Sequence, residues 1–416
     1  MPDARPVILG CDAVSPLGTD LGEQWRRART GEGGVGPLTR FPRPEGFPVD
    51  VAGQVPEFDH SPYPFLAPRP MAHWTSPVFR HALLVVHRAL GRAGIEIGPD
   101  LAPRTAVTFG TAIGGLDAVL AADRDLIAEG KLPSPFANPN GCINMVAGKI
   151  SILTGATGPL VTPSTACATG ATSVAMGALF LGAGLADVAI CGAVDFPLVE
   201  PLVAGFATMN GAYKIKPGRP NGPPGRASRP FSVDRCGFVV SEGAACLVLA
   251  TPDFARAHGL EPRFELAGWS MNGDAGHFVA PRRETVARCM ADAVAHAGLA
   301  PFDIQAVNAH ATSTKVGDRT EADALADVFG GRIPPVTAVK SLTGHAMGAS
   351  SALETVLALE GMRDGILPPT INYTPDPEIP LDCVSEGARA LPQEHVLKNA
   401  LGFGGANTCL VLRRLA

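Results

Sequence analysis

The feature that most constrains the fold of this chain is a repetition between its two halves. Residues 167–173, CATGATS, match residues 345–351, HAMGASS, and each stretch leads into a run of small and apolar residues. Two further pairs recur in the same order, ALGRAGI (89–95) with AVAHAGL (293–299) and GAACLVL (243–249) with GANTCLVL (405–412). Three matches in one order predict that the chain is a duplicated unit.

Each half also shows an alternation of β-rich and helical patterns. The β-rich runs are 106–109, 188–191, 245–250, 306–309 and 409–412, and Ala-rich helical patterns lie between them. Such alternation predicts an α/β fold with buried sheets. We place the halves at residues 1–253 and 254–416. The spacing of the matches gives the first half the extra loops, one within 116–144 and one in the Pro/Gly/Arg-rich stretch 214–230.

Composition excludes several classes of protein. The 416 residues are 46% hydrophobic and 18% charged, and the net charge of −5 gives no basic footprint for a nucleic acid. The first 18 residues lack a signal-peptide pattern, and no apolar run is long enough to span a membrane. Nine cysteines without a CxxC or a metal-ligand spacing indicate reduced thiols. We therefore expect a cytoplasmic protein without a metal.

The repetition indicates a functional role for Cys167, which the neighbouring residues alone do not indicate. A cysteine among small residues at the start of an apolar run is most often a packing residue. In a duplicated unit, however, equivalent helices are related by a pseudo-two-fold axis. If both helices begin near that axis, Cys167 faces its counterpart His345 across it.

Three further segments carry residues suited to the same chemistry. His310 follows a predicted strand in NAHATSTKVGD (308–318), Lys340 and His345 flank a glycine turn, and the glycines of 402–405 expose backbone amides. Individually, His310 is explained as a histidine of a surface loop and Lys340 as a solvated lysine. Together with Cys167 they indicate carbon–carbon bond formation between thioesters. A thiolate at a helix start, where its pKa is lowered, takes up the acyl group, neutral histidines polarise a carbonyl, and amides hold the oxyanion.

Six segments of the chain resemble motifs of one family. They are GTAIGGL (110–116), TACATG (165–170), ASRPFSVDRCGFVVSEGA (227–244), NAHATST (308–314), KSLTGHAMGAS (340–350) and GFGGAN (402–407). Over nearly its whole length the chain resembles the β-ketoacyl-acyl carrier protein synthases of the Cys-His-His type (KAS I/II), in the thiolase superfamily. The resemblance implies a five-layered αβαβα fold of two duplicated halves. It also implies an acyltransferase that extends a cysteine-linked acyl chain by decarboxylative condensation with malonyl-acyl carrier protein, without a cofactor, in fatty acid synthesis.

The resemblance assigns roles to the central residues. Cys167 would be the acylated nucleophile, His310 and His345 would assist decarboxylation, and Lys340 would support them. Asp318 and Glu321 would organise the network around Lys340 and the histidine loop.

Further roles follow for the rim of the site. The backbone amides of Cys167 and Phe403 would form the oxyanion hole, with the Phe403 ring near the gate. Thr312 and Thr314 would touch the phosphopantetheine arm. Ile113 and Phe206 would line the acyl pocket.

The resemblance leaves the pathway and the partner subunit open. The alternative to fatty acid synthesis is a ketosynthase of a type II polyketide or specialised lipid pathway, and Leu401, where the family usually has an aromatic gate residue, favours it. Acyl carrier protein is the expected partner, and a basic rim would receive it (Arg69, Lys214, Lys216, Arg219 and Arg226), although ordinary solvated charges explain these residues equally well. The chain would form a homodimer, or a heterodimer with a chain-length-factor-like subunit.

Three related classes are disfavoured by single features. A thiolase would carry a cysteine before the late glycines, and a starter-type synthase would carry Asn in place of His345. A chain-length factor usually lacks the nucleophile, whereas Cys167 and both histidines are present here.

Overall fold

The computed structural model describes residues 5–215 and 222–415. The strands of this part of the chain are β1 (Val7–Val14), β2 (Val35–Pro37), β3 (Val51–Gly53), β4 (Thr105–Gly110), β5 (Leu160–Val161), β6 (Val188–Asp195), β7 (Gly243–Ala250), β8 (Phe264–Gly273), β9 (Ala306–Asn308), β10 (Val336–Thr337), β11 (Ile366–Leu367), β12 (Arg389–Ala390), β13 (His395–Gly402) and β14 (Ala406–Arg414). The α-helices are α1 (Leu21–Thr30), α2 (Pro68–Met71), α3 (Pro77–Ala93), α4 (Leu116–Glu129), α5 (Ala137–Gly141), α6 (Met145–Thr154), α7 (Thr169–Gly182), α8 (Glu200–Thr208), α9 (Pro252–Ala257), α10 (Arg283–His296), α11 (Lys315–Phe329), α12 (Lys340–Thr343) and α13 (Met347–Asp364).

The sheet repeats one strand order twice. Its strands run β10-β9-β13-β14-β8 in the second half of the chain and β1-β7-β6-β4-β5 in the first. We number the five strands of each half along the chain. Read from the outer edge of the sheet to its centre, both halves then have the order third, second, fourth, fifth, first. Strands β1 and β8 join the halves in antiparallel pairing at Val7 with Glu265 and Ile8 with Phe264. The duplication predicted from the sequence is therefore also present in the topology.

The two halves also agree in atomic detail. The pairing register of β1 slips by one residue just before Gly10, and that of β8 slips just before Gly268. A Cβ added at Gly10 would lie 2.5 Å from the carbonyl oxygen of Ala89 in α3, and one added at Gly268 would lie 2.5 Å from that of Ala293 in α10. Each first strand thus has a bulge and a glycine where its outer helix packs closely against it.

The helices form three layers around the two half-sheets. Helices α3 and α6 pack outside the first half-sheet, and α10 outside the second, with α11 against it. Helices α7 and α13 pack against each other and against strands of both halves. Every residue from 347 to 362 is buried, as expected for a helix covered on all sides. The predicted succession of five layers is confirmed.

Two details refine the predicted organisation. The extra segment at 116–144 is not a loop, because it contains α4 and α5. Its side chains Leu126 and Ile127 are exposed. The predicted boundary between residues 253 and 254 falls inside α9 and stays a prediction. None of the helices in the described ranges is long and apolar enough to cross a membrane.

Candidate active site

Cys167 lies on a tight turn that leads into α7. The turn, 166–168, is a single 3₁₀ turn, and Ala166 takes a positive φ of 48°, which is rare for a residue with a side chain. Gly402, the last residue of β13, packs so closely against this turn that a Cβ added to it would lie 2.3 Å from the carbonyl oxygen of Thr165. The thiol is buried, with 5% of the residue exposed.

His345 lies opposite Cys167, as the repetition predicts. Its Nε2 is 3.0 Å from the Cys167 Sγ, and its Nδ1 is 2.9 Å from the hydroxyl of Ser350 in α13. Backbone hydrogen bonds hold the residue on both sides, from His345 N–H to the carbonyl of Val239 and from Ser241 N–H to the carbonyl of His345. The imidazole is therefore fixed in position and orientation toward the sulfur.

His310 lies beside His345 on the loop that follows β9. The two rings are perpendicular, with centroids 5.7 Å apart. Glu321 accepts a 2.7 Å hydrogen bond from His310 N–H, and Asp318 accepts from the N–H groups of Thr312, Ser313 and Thr314. The two carboxylates of α11 thus shape the histidine loop through its backbone. The ring Nδ1 of His310 is buried and makes no hydrogen bond within the described residues.

The carboxylate partner of Lys340 is Glu354 of α13. The Nζ of Lys340 also donates a 2.5 Å hydrogen bond to the carbonyl of His310. The other oxygen of Glu354 lies 2.7 Å from Nζ of Lys398 in β13. Asp318 and Glu321 hold the backbone of the histidine loop, whereas Glu354 carries the charge opposite to that of Lys340.

Burial keeps the three reactive side chains uncharged. It raises the pKa of the Cys167 thiol to about 12, although Lys340 and the N–H of Phe403 act in the opposite direction. Burial and the charges of Lys340 and Lys398 hold the pKa values of His310 and His345 well below 6.5. The lowered thiol pKa expected at a helix start is therefore wrong for this resting site, because desolvation outweighs the helix end.

Backbone amides converge on the sulfur. The N–H groups of Cys167 and Phe403 both interact with the Sγ. Phe403 is followed by Gly404 and Gly405, whose φ angles of 85° and 79° let the chain turn sharply there. This arrangement offers two donors near the position where a tetrahedral oxygen would form on an acylated sulfur.

A cavity of about 470 Å³ leads to these groups. Cys167, His310, His345 and Phe403 line it, together with Thr312, Thr314, Lys214, Lys315 and Leu401. The hydroxyls of Thr312 and Thr314 are 3.1 Å apart. Both predicted pantetheine contacts therefore lie along the cavity wall, and their role stays a prediction.

The two predicted acyl-pocket residues do not line this cavity. Ile113 and Phe206 belong to an adjoining apolar cluster that also contains Phe238 and Phe403. The rings of Phe206 and Phe238 meet edge to face at 5.5 Å, and Phe238 meets His345 at the same distance. The cluster thus adjoins the cavity at Phe403, and its role as an acyl pocket stays a prediction.

Profiles of known families match both halves of the chain. The β-ketoacyl synthase N-terminal domain matches residues 4–255, and the β-ketoacyl synthase C-terminal domain matches residues 263–374. The chain belongs to the β-ketoacyl synthase family. Two similar family members are 3-oxoacyl-(acyl-carrier-protein) synthase 2 of Coxiella burnetii, 36% identical over all of both chains, and that of Staphylococcus aureus, 34% identical over 99% of this chain and 98% of the relative.

Solved structures of β-ketoacyl synthases share the fold. A β-ketoacyl synthase from Burkholderia phymatum is 31% identical with a TM-score of 0.91, and the ishigamide ketosynthase/chain length factor is 31% identical with a TM-score of 0.90. The ketosynthase complex AntDE:AntF, with a type II polyketide acyl-carrier protein, is 26% identical with a TM-score of 0.89. Each comparison covers 99% of this chain and 100% of the other.

Several supporting residues of this β-ketoacyl synthase were missed by sequence reasoning. Ser350 orients His345, and Glu354 and Lys398 complete the buried ion cluster. Asp195 accepts hydrogen bonds from the N–H groups of Ala112, Ile113 and Gly348, tying the loop after β4 to the start of α13. A signal did exist for Glu354 and Lys398, because each follows directly on two apolar residues, and a charge at a buried position predicts a buried pair.

Proposed function

We propose that this chain is a β-ketoacyl-acyl carrier protein synthase that extends an acyl chain bound to Cys167 by decarboxylative condensation with malonyl-acyl carrier protein. The observation that carries the proposal is the 3.0 Å contact of Cys167 Sγ with His345 Nε2, with His310 perpendicular beside it at the end of a cavity. The names of the full-length relatives support the same activity.

The first half-reaction moves the acyl group to the enzyme. The Cys167 sulfur attacks the thioester carbon while its proton passes to His345 Nε2. The N–H groups of Cys167 and Phe403 hold the tetrahedral oxygen. The bond to the carrier sulfur then breaks, and the departing thiol takes the proton from His345. One thioester is exchanged for another, and no proton is gained or lost.

The second half-reaction forms the carbon–carbon bond. His310 and His345, both neutral, donate hydrogen bonds to the malonyl thioester oxygen while CO₂ leaves. The resulting enolate carbon attacks the acyl carbon on Cys167, and the released thiolate takes up one proton. His345 can serve in both steps because the Ser350 hydroxyl can either accept from or donate to Nδ1, so that each imidazole tautomer is satisfied.

The mouth of the cavity supports a carrier protein as partner. Lys214 and Lys315 line the cavity, and Arg69 and Arg226 are exposed on the surface. Of the predicted basic rim, Lys216 and Arg219 lie outside the described residues. Positive side chains at the mouth would attract an acidic carrier protein. The neighbouring AntDE:AntF structure is itself a ketosynthase with its acyl-carrier protein.

The segment around α4 supports a second subunit. Ile127 and Leu132 of this segment expose 77 and 83% of their surfaces, and Ile152 of α6, the helix that contacts the edge strand β5, exposes 73%. Large exposed apolar side chains, where they lie together, mark protein interfaces. We infer that the synthase is dimeric, either with a second copy or with a chain-length-factor-like subunit, and that it acts in the cytoplasm.

A specialised pathway remains the second candidate function. Leu401 lines the cavity in place of an aromatic ring, and two of the structural neighbours are a type II polyketide ketosynthase complex and a ketosynthase/chain length factor. A smaller side chain at that point would admit a bulkier primer.

Intact-protein mass spectrometry tests the proposal. The purified chain is incubated with acyl-carrier thioesters of several lengths, with Cys167→Ala alongside, and then with malonyl-carrier protein. We expect an acyl adduct on the wild type alone, which malonyl-carrier protein discharges as a β-ketoacyl product. The preferred primer separates the fatty acid pathway from the specialised one. A Cys167→Ala protein that still condenses the two thioesters would refute the assignment.

A further inference from the structure

The site contains a second buried lysine that the proposed mechanism does not use. Lys398 lies in β13 and has no exposed surface. Its Nζ is 2.7 Å from Glu354 Oε2 and also contacts the carbonyl oxygen of Asn399. A lysine is almost never fully buried unless it is paired, so its position requires an explanation.

Lys398 leaves the buried cluster with an excess of positive charge. Glu354 lies between Lys340 and Lys398, and all three side chains are at most 1% exposed. Lys340 alone would neutralise the carboxylate. Two ammonium groups on one carboxylate give a net charge of +1 in a region where solvent does not screen it.

The ion cluster lies next to the loop that carries His310. Lys398 pairs in register with Asn308 of β9, two residues before His310, and Lys340 donates to the carbonyl of His310. The other ionisable groups that face the cluster and the histidines are Glu321 and Asp318 of α11, Arg235 beside Asp318, Cys167 before α7, and Cys409 of β14. Backbone N–H groups already satisfy both carboxylates of α11.

We propose that Lys398 is a positioning residue whose charge keeps His310 and His345 in the neutral form that can donate a hydrogen bond to the thioester oxygen. The proposal rests on the function proposed above. The same positive charge favours the negative charge that develops on that oxygen during decarboxylation. The pKa values of both histidines are held low first by burial and also by Lys340 and Lys398.

The test is Lys398→Met, which removes the charge, keeps an unbranched side chain and leaves a neutral Lys340–Glu354 pair. The protein is labelled with ¹³C at Cε1 of its histidines, and the signals of His310 and His345 are assigned with Asn variants. NMR titration from pH 8 down to the pH at which the protein unfolds should then show both imidazoles titrating about one pH unit higher than in the wild type, as expected for removal of a nearby buried charge. The acid limb of kcat/KM should move in the same direction.

Two further variants separate charge from packing. Lys149→Met, the same substitution on the outer helix α6, should leave both titrations unchanged. Lys398→Met combined with Glu354→Gln restores the net charge of +1 and should return the titrations toward wild type, even if the single variant folds poorly. A purely structural lysine predicts instead that the double variant is no closer to wild type than the single one.

An unchanged histidine titration in folded Lys398→Met, or a double variant that keeps the raised titration, would overturn the proposal. The NMR measurement needs no turnover. A wild type that fails to condense thioesters would therefore refute the proposed function without affecting this test.

Discussion

Gly170 controls how closely the two central helices approach each other. It lies in the first turn of α7, three residues after Cys167. A Cβ added there would lie 2.5 Å from the backbone nitrogen and 2.7 Å from the Cβ of Ala352 in α13. Non-bonded carbon atoms are normally about 3.5–4.0 Å apart. Gly170→Ala therefore has to separate α7 from α13 by about 1 Å, on the contact scale just given.

Stability and activity should respond to this shift by different amounts. Overpacking costs about 1–3 kcal/mol, and the better helix propensity of Ala recovers about 1 kcal/mol. The expected net loss of unfolding free energy is about 0–2 kcal/mol. Cys167 precedes α7 and His345 precedes α13, so the shift lengthens their 3.0 Å contact. A misplacement of about 1 Å can cost about 100-fold in rate, which is the fall we expect in the condensation rate.

Gly182→Ala is the matched control, because it makes the same substitution at the other end of α7. A Cβ at Gly182 would meet no heavy atom within 4 Å. Urea unfolding and initial condensation rates of both variants, at saturating thioesters, give the two quantities. We expect Gly182→Ala to match the wild type in rate and to be no less stable. A Gly170→Ala protein with wild-type rate and stability would show that this close approach does not set the site geometry.

Two other predictions concern the histidines. Ser350→Ala should lower the condensation rate about tenfold, because it removes an orienting hydrogen bond worth about 1.4 kcal/mol, and should leave the urea midpoint nearly unchanged. Equal rates would exclude the orienting role. The pKa of His345 is well below 6.5 in the folded protein. As the pH falls below 6.5, the imidazole is therefore protonated in the unfolded state but not in the folded state, which lowers the free energy of unfolding. By pH 5.5 the wild type should therefore have lost about 1.4 kcal/mol of unfolding free energy relative to His345→Asn. Parallel stability curves in urea would contradict this sign.

The sequence contained enough information to predict the architecture. The pairing of 89–95 with 293–299 matches Ala89 with Ala293. In the structure, a Cβ added to Gly10 or Gly268 would lie 2.5 Å from the carbonyl oxygen of Ala89 or Ala293, respectively. Small residues occur at these positions in both halves because two backbones meet there and leave no room for a larger side chain. These close backbone contacts explain why the repetition between the halves is visible in the sequence.

Other features depend on distances that no local pattern contains. Glu354 and Lys398 are far apart in sequence, and only the packing of α13 against β13 shows that they form one ion cluster with Lys340. The segment 116–144 was interpreted as a loop, yet α4 forms there. Its hydrophobic residues point away from this chain's own core, so the usual link between apolar periodicity and burial was absent.

The protonation of Cys167 is the clearest case in which local and global effects oppose each other. Its place at the start of α7 favours a thiolate, because the helix end is positive there. Full burial favours the thiol and prevails, raising its pKa to about 12. A neutral imidazole at 3.0 Å is then required rather than incidental. The thiol can act only if its proton leaves as the sulfur attacks, and His345, kept neutral by the same burial, is the acceptor in place. Burial thus makes the nucleophile dependent on its counterpart from the other half of the chain.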